Sequence, residues 1–123
     1  MSHALIIEDE VLIAMDMKYI LASSGFDSVS IAATEDAAVD AARQHKPDFI
    51  LSDVSLRKGT GPAAVQRIQT ELGWIATLFL TATPDRNRGI PMNAPILLKP
   101  ADETALKRTI ALIWNPGEPC ASA

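Results

Sequence analysis

An α/β protein built on a parallel sheet is the fold class this sequence predicts. Its apolar residues fall into five short runs: Ala4–Ile7, Val29–Ala32, Phe49–Leu51, Ala76–Leu80 and Ile96–Leu98. Such runs are too short for helices and, Ser30 apart, do not alternate with polar residues, as expected of strands buried on both faces. Amphipathic stretches of helical length separate them. Five β-α units in 123 residues give about 25 residues each, the arithmetic of strand–helix–strand units.

The elements justify themselves in order. After the first strand, Glu10–Ser24 reads as a helix closed by Gly25. Its Ile13, Met17, Ile20 and Leu21 form a core stripe. Leu12, Met15, Tyr19 and Ala22 form a second apolar stripe on roughly the other side, and a helix apolar on two faces buries both. Thr34-Glu35-Asp36 caps a second helix to Gln44, and His45-Lys46-Pro47 ends it. His45 is therefore a helix-end residue, and His3, alone near the start, is assigned nothing. A third helix spans Pro62–Leu72 before Gly73. The next unit departs from the pattern. Pro84, Gly89, Pro91 and Pro95 leave room for one turn at most, around Pro84–Arg88, so the fourth helix is degenerate. Asp102–Ile113 is the last helix. Residues 1–114 make one domain and 115–123 a frayed tail. Trp74 and Trp114 read as packing or rim aromatics.

Composition narrows the function. Apolar residues make up 48% and charged ones 21%, so the chain is neither disordered nor membrane-spanning. The start lacks a charged leader, and cytoplasmic location is expected. A net charge of −4 disfavours nucleic acid as a partner. Residues 1–56 carry ten acids against three bases, and 57–123 carry five against eight, so the two halves should meet. Cys120 is the only cysteine, which forbids an internal disulfide.

The residues just past the strand ends carry the chemistry. Glu8-Asp9-Glu10 comes after the first strand, Asp53 after the third, Thr81 after the fourth and Lys99-Pro100 after the fifth. In an open parallel sheet the ligand crevice lies at these carboxyl ends. Singly, each residue has a bland reading: helix-start acids, a turn aspartate, a strand-end threonine, a solvated base. In register they make one site. Two like charges at about 4 Å repel by roughly 4 kcal/mol at an effective dielectric of 20. Glu8, Asp9 and Asp53, with Lys99 alone to offset them, must therefore protonate or bind a cation. Oxygen ligands favour a hard divalent ion, Mg2+ first. With a metal, a lysine, a carboxylate nucleophile and a hydroxyl, the site resembles a phosphoryl-transfer site.

The stretches ALIIEDE, FILSDVSL, LFLTA and LLKP resemble the four signature stretches of bacterial response-regulator receiver domains, in the family's order from Leu5 to about Ile113. LIIEDE-x-LIAMD and TA-x-P-x-R look nearest to the receiver of general-stress-response anti-anti-sigma regulators. The resemblance implies a CheY-like, flavodoxin-like doubly wound sheet of order 2-1-3-4-5. It implies that Asp53 accepts a phosphoryl group from a histidine kinase or histidine phosphotransfer protein. Glu8, Asp9 and Asp53 would hold Mg2+, Asp9 more directly than Glu8, and the backbone carbonyl of Ser55 would complete the set. Thr81 and Lys99 would take phosphate oxygens, with a cis Lys99–Pro100 peptide aiming the amine.

Two positions depart from the family. Ile96 stands where an aromatic relay residue is usual, and only 17 residues separate Thr81 from Lys99. The expected function is a stand-alone receiver, not an enzyme, that signals through a protein partner or serves as a phosphate shuttle or sink. A phosphorylation-independent adaptor is the alternative. An aspartate-nucleophile phosphatase is disfavoured, because Ser55 occupies the place of its general acid. The family docks its donor beside the first helix, which gives the second stripe there a use. Arg57, Lys58, Arg86 and Arg88 would rim that edge.

Overall fold

The computed structural model describes residues 2–82, 89–91, 94–99 and 102–114. In chain order these form β1 (His3–Ile7), α1 (Val11–Ser23), β2 (Ser28–Ala32), α2 (Glu35–Gln44), β3 (Phe49–Asp53), α3 (Gly61–Leu72), β4 (Ala76–Thr81), β5 (Ile96–Leu98) and α4 (Glu103–Ile113). The five strands are all parallel, in the order β2-β1-β3-β4-β5. The expected doubly wound fold is the one observed. Among the described residues no helix lies between β4 and β5, so α4 belongs to the fifth unit. The turn expected at Pro84–Arg88, the Lys99–Pro100 peptide, the tail and Cys120 lie outside the described residues.

Alternation along the strands makes two cores. Ala4 and Ile6 of β1 join one cluster with Met17 and Leu21 of α1 and Ile110 of α4. Leu5 and Ile7 join the other, with Val39 of α2 and Ile68 of α3. The central strands β1, β3 and β4 are wholly buried. Burial on both faces does not extend to β2, where Ser28–Ile31 are partly or fully exposed, nor to β5. Each is an outermost strand with a neighbour on one side only.

The helix starts follow the capping residues. Thr34, Thr60 and Asp102 each accept a hydrogen bond from the backbone N–H three residues on. α1 has no such cap; it is held by the burial of Ala14, Met17, Ile20 and Leu21. Its second apolar stripe is exposed and not packed under a neighbour among the described residues: Leu12 is 81% exposed and Tyr19 64%. Trp114 stacks on Phe26, whereas Trp74 is exposed.

His3 has a structural place that its sequence context did not reveal. It is buried in β1, with Nδ1 2.7 Å from the Ser28 hydroxyl and Nε2 3.0 Å from that of Ser30. Its ring stacks on His45 at 3.6 Å.

Candidate functional site

Strand register brings the predicted residues level. Ile7 pairs with Ser52, Asp53 with Leu80 and Thr81 with Leu98. Glu8, Asp53, Thr81 and Lys99 therefore stand at or just past adjoining strand ends. Backbone bonds fix them there. Glu8 N–H donates to the Ala32 carbonyl at 2.9 Å, Val54 N–H to Leu80 at 3.0 Å, and Lys99 N–H to Thr81 at 2.8 Å.

Carboxylate oxygens of Glu8, Asp9 and Asp53 lie within 4.8 Å of one another. The Lys99 ammonium is 3.0 Å from Asp53 Oδ2 and 3.4 Å from Glu8 Oε1. Glu8 is the most deeply buried of the three acids, and its other oxygen accepts the Glu10 N–H at 3.1 Å. Burial pushes the Glu8 carboxyl above its ordinary range, and the Asp53 charge adds to this against the Glu10 N–H and Lys99. For Lys99, burial alone would favour the neutral amine. The hydrogen bond to Asp53 and the charges of Asp53 and Glu8 outweigh it and raise the ammonium above its usual value. Asp9 is less buried, and its Oδ2 accepts the backbone N–H of Arg57 at 2.8 Å.

The structure thus assembles Glu8, Asp9, Asp53 and Lys99, with buried Thr81 at the next strand end. Ser55 lies in the exposed loop after β3, where it bridges to Thr60. Arg86 and Arg88 lie outside the described residues. The acidic and basic halves of the chain meet here and again on the surface, where Arg67 pairs with Glu35 and Asp36. Three carboxylates in so small a space, only partly offset among the described residues by the Lys99 ammonium and the exposed Arg57 guanidinium 3.9 Å from Asp9, fit a hard divalent cation. Sequence reasoning missed two contributors: the Arg57 N–H on Asp9 and Gly61 beneath Asp53. Neither carries a residue-type signal for its role.

Fold and pocket together define an open parallel α/β domain with a lysine-bridged acid cluster at its carboxyl edge. Residues 4–111 match the response regulator receiver domain, and the chain belongs to that family of two-component signalling proteins. It is similar to the phyllosphere-induced regulator PhyR of Methylorubrum extorquens, 35% identical over 86 residues. That match covers 69% of this chain and 32% of PhyR, so the chain spans about a third of that regulator's length. The solved receiver domain of PhyR from Erythrobacter litoralis is 32% identical with a TM-score of 0.79, over 98% of this chain and 96% of that one. The anti-anti-sigma factor PhyR of Bartonella quintana is 35% identical with a TM-score of 0.75, over 89% of this chain and 46% of that one. The expected resemblance to anti-anti-sigma receivers is therefore found. Receivers of this family are regulatory domains that generally hold Mg2+ in an acidic pocket.

Proposed function

We propose that this chain accepts a phosphoryl group on Asp53 from a histidine kinase or histidine phosphotransfer protein and signals through a protein partner. The observation that carries the reading is the Lys99 ammonium 3.0 Å from Asp53 Oδ2, with Glu8 and Asp9 beside it. An Asp53 oxygen attacks phosphorus, and the donor's N–P bond breaks with its electron pair returning to the imidazole. An acyl phosphate remains. Lys99 moves from Asp53 to a phosphate oxygen, and the Thr81 hydroxyl takes another. Asp9, Asp53 and the Ser55 carbonyl, with Glu8 beside them, would hold Mg2+, which would supply positive charge against the phosphoryl oxygens. Glu8 acts chiefly by charge, since Lys99 and the Glu10 N–H already occupy its oxygens. The exposed Leu12, Met15 and Tyr19 of α1 give an apolar face for the donor.

The test is intact mass after incubation with Mg2+ and acetyl phosphate, beside Asp53→Asn. A single phosphoryl adduct in the wild type alone is expected. An equal adduct in Asp53→Asn, or none in the wild type with either acetyl phosphate or a phosphorylated kinase, overturns the reading. A phosphorylation-independent adaptor is the second reading. It is favoured by Ile96, a half-buried aliphatic packed on the core where the family's aromatic relay would stand. An adduct that leaves backbone amide exchange unchanged would support it.

A further inference from the structure

We propose that Glu35 is a positioning residue for the acidic pocket, acting through the loop between β3 and α3. The inference rests on the reading of Asp9 as a cation ligand. The base of the loop is tightly closed. Ser55 and Thr60 form an antiparallel bridge, and Gly61 N–H donates to the Val54 carbonyl at 3.0 Å. Its tip, Arg57–Gly59, is exposed and is tied to two other loops. Toward the pocket, Arg57 N–H donates to Asp9 Oδ2 at 2.8 Å. Toward α2, the Lys58 carbonyl accepts the Glu35 N–H at 3.2 Å.

The Glu35 side chain then covers Gly59. A Cβ at Gly59 would lie 2.5 Å from Glu35 Oε1 and 2.6 Å from Glu35 Cβ, and Gly59 has φ +85°. Only glycine takes that conformation and that proximity at low cost. Arg67 of α3 holds the carboxylate in place, with Nη1 2.9 Å from Glu35 Oε2 and 2.8 Å from Asp36 Oδ1. A mechanical line thus runs from Arg67 through Glu35 and Gly59 to the Arg57 N–H and Asp9. Without the Glu35 side chain, the glycine tip loses its wall and the Arg57 N–H leaves Asp9 more often.

The test is amide exchange followed by NMR on the whole chain, with Mg2+ affinity by calorimetry, in wild type, Glu35→Ala and Glu35→Gln. Groups that orient a metal ligand typically change affinity ~10–100-fold, and one step further out about fivefold weaker Mg2+ binding is expected for Glu35→Ala. The Arg57 amide should exchange several-fold faster, while core amides such as Leu51 and Leu78 keep their rates. Glu35→Gln, which still covers Gly59 and accepts from Arg67, should stay near wild type. Unchanged Arg57 exchange in Glu35→Ala overturns the proposal, as does faster exchange with Mg2+ affinity unmoved, or equal acceleration of the core. A wild type that takes no phosphoryl group and binds no Mg2+ instead strikes the phosphoacceptor reading. The positioning role, which takes Asp9 as a cation ligand, falls with that result, whereas Mg2+ bound without any phosphoryl adduct strikes the phosphoacceptor reading alone and leaves this one to the Arg57 exchange and the Mg2+ affinity.

Discussion

At the carboxyl edge of the sheet, Glu8, Asp9 and Asp53 crowd within 4.8 Å of one another and Lys99 offsets part of their charge. At the amino edge, His3 has both ring nitrogens on serine hydroxyls and its face on His45. Asp48 completes that cluster: its Oδ2 accepts the His3 N–H at 2.9 Å, and its own N–H donates to the His3 carbonyl at 2.7 Å. Both edges bury ionisable groups in a small domain, yet their charges are balanced differently. The amino-edge groups satisfy one another, as polar groups that serve the fold must. The carboxyl-edge groups keep a repulsion that the described residues offset only in part, an arrangement suited to a cation.

The largest expected break in this contrast is Gly61→Ala. A Cβ there would fall 1.8 Å from the Asp53 carbonyl oxygen and 2.3 Å from Ser52 Oγ. The first is backbone and cannot swing aside, so Asp53 itself must shift. Overpacking of this kind costs about 3 kcal/mol in urea unfolding. The phosphoryl adduct should disappear with it. At the amino edge the comparable change, His45→Ala, removes one stacked ring from an exposed residue and costs about 1 kcal/mol. Equal losses would mean that the two edges are equally rigid and the contrast is mistaken.

Next in size is the response to cation. A ligand that binds only the folded state at 100 times its Kd stabilises by about 2.7 kcal/mol. Thermal midpoints in Mg2+ and in EDTA should differ accordingly for the wild type and for His3→Gln. Asp9→Asn should lose most of the difference, because it removes a carboxylate from the cluster. A midpoint indifferent to EDTA in the wild type would leave the carboxyl edge as structurally self-sufficient as the amino one.

The two edges also differ in how far the sequence revealed them. Glu8, Asp53, Thr81 and Lys99 each lie at the end of an apolar run, and parallel pairing sets such ends level, so their gathering at one edge was legible from the ends of the runs. Nothing marked His3. Its partners lie 25, 27 and 42 residues away and arrive through β1–β2 register and the turn after α2. Gly61 beneath Asp53 and Gly59 beneath Glu35 were silent for a related reason: closeness of backbones leaves only a glycine behind, and glycines have many uses. The outer strands misled because apolar runs do not tell an edge from a centre. Ile31 ends 41% exposed in a run that reads as buried.

The finest probe of the contrast is pH, because the two edges tilt stability in opposite directions. Burial raises the Glu8 carboxyl above 4.5, so the folded chain holds its proton longer than the unfolded chain does. That contribution is complete below about pH 4.5 and is lost as pH rises through the raised value. His3 is lowered from 6.5 by burial first and by the His45 charge second, against Asp48 and the Ser28 hydrogen bond. Its contribution is complete above pH 6.5 and drains away as pH falls below it. In EDTA, Glu8→Gln should therefore flatten the falling limb toward higher pH, and His3→Gln the limb toward lower pH, in thermal midpoints scanned from about pH 4.5 to 8. Mg2+ separates them further. A cation in the pocket holds the carboxylates ionised, so it should erase the Glu8 limb and leave the His3 limb untouched. If Mg2+ moved both limbs, the two edges would be coupled through the sheet, and the amino edge could no longer be read as mere scaffold.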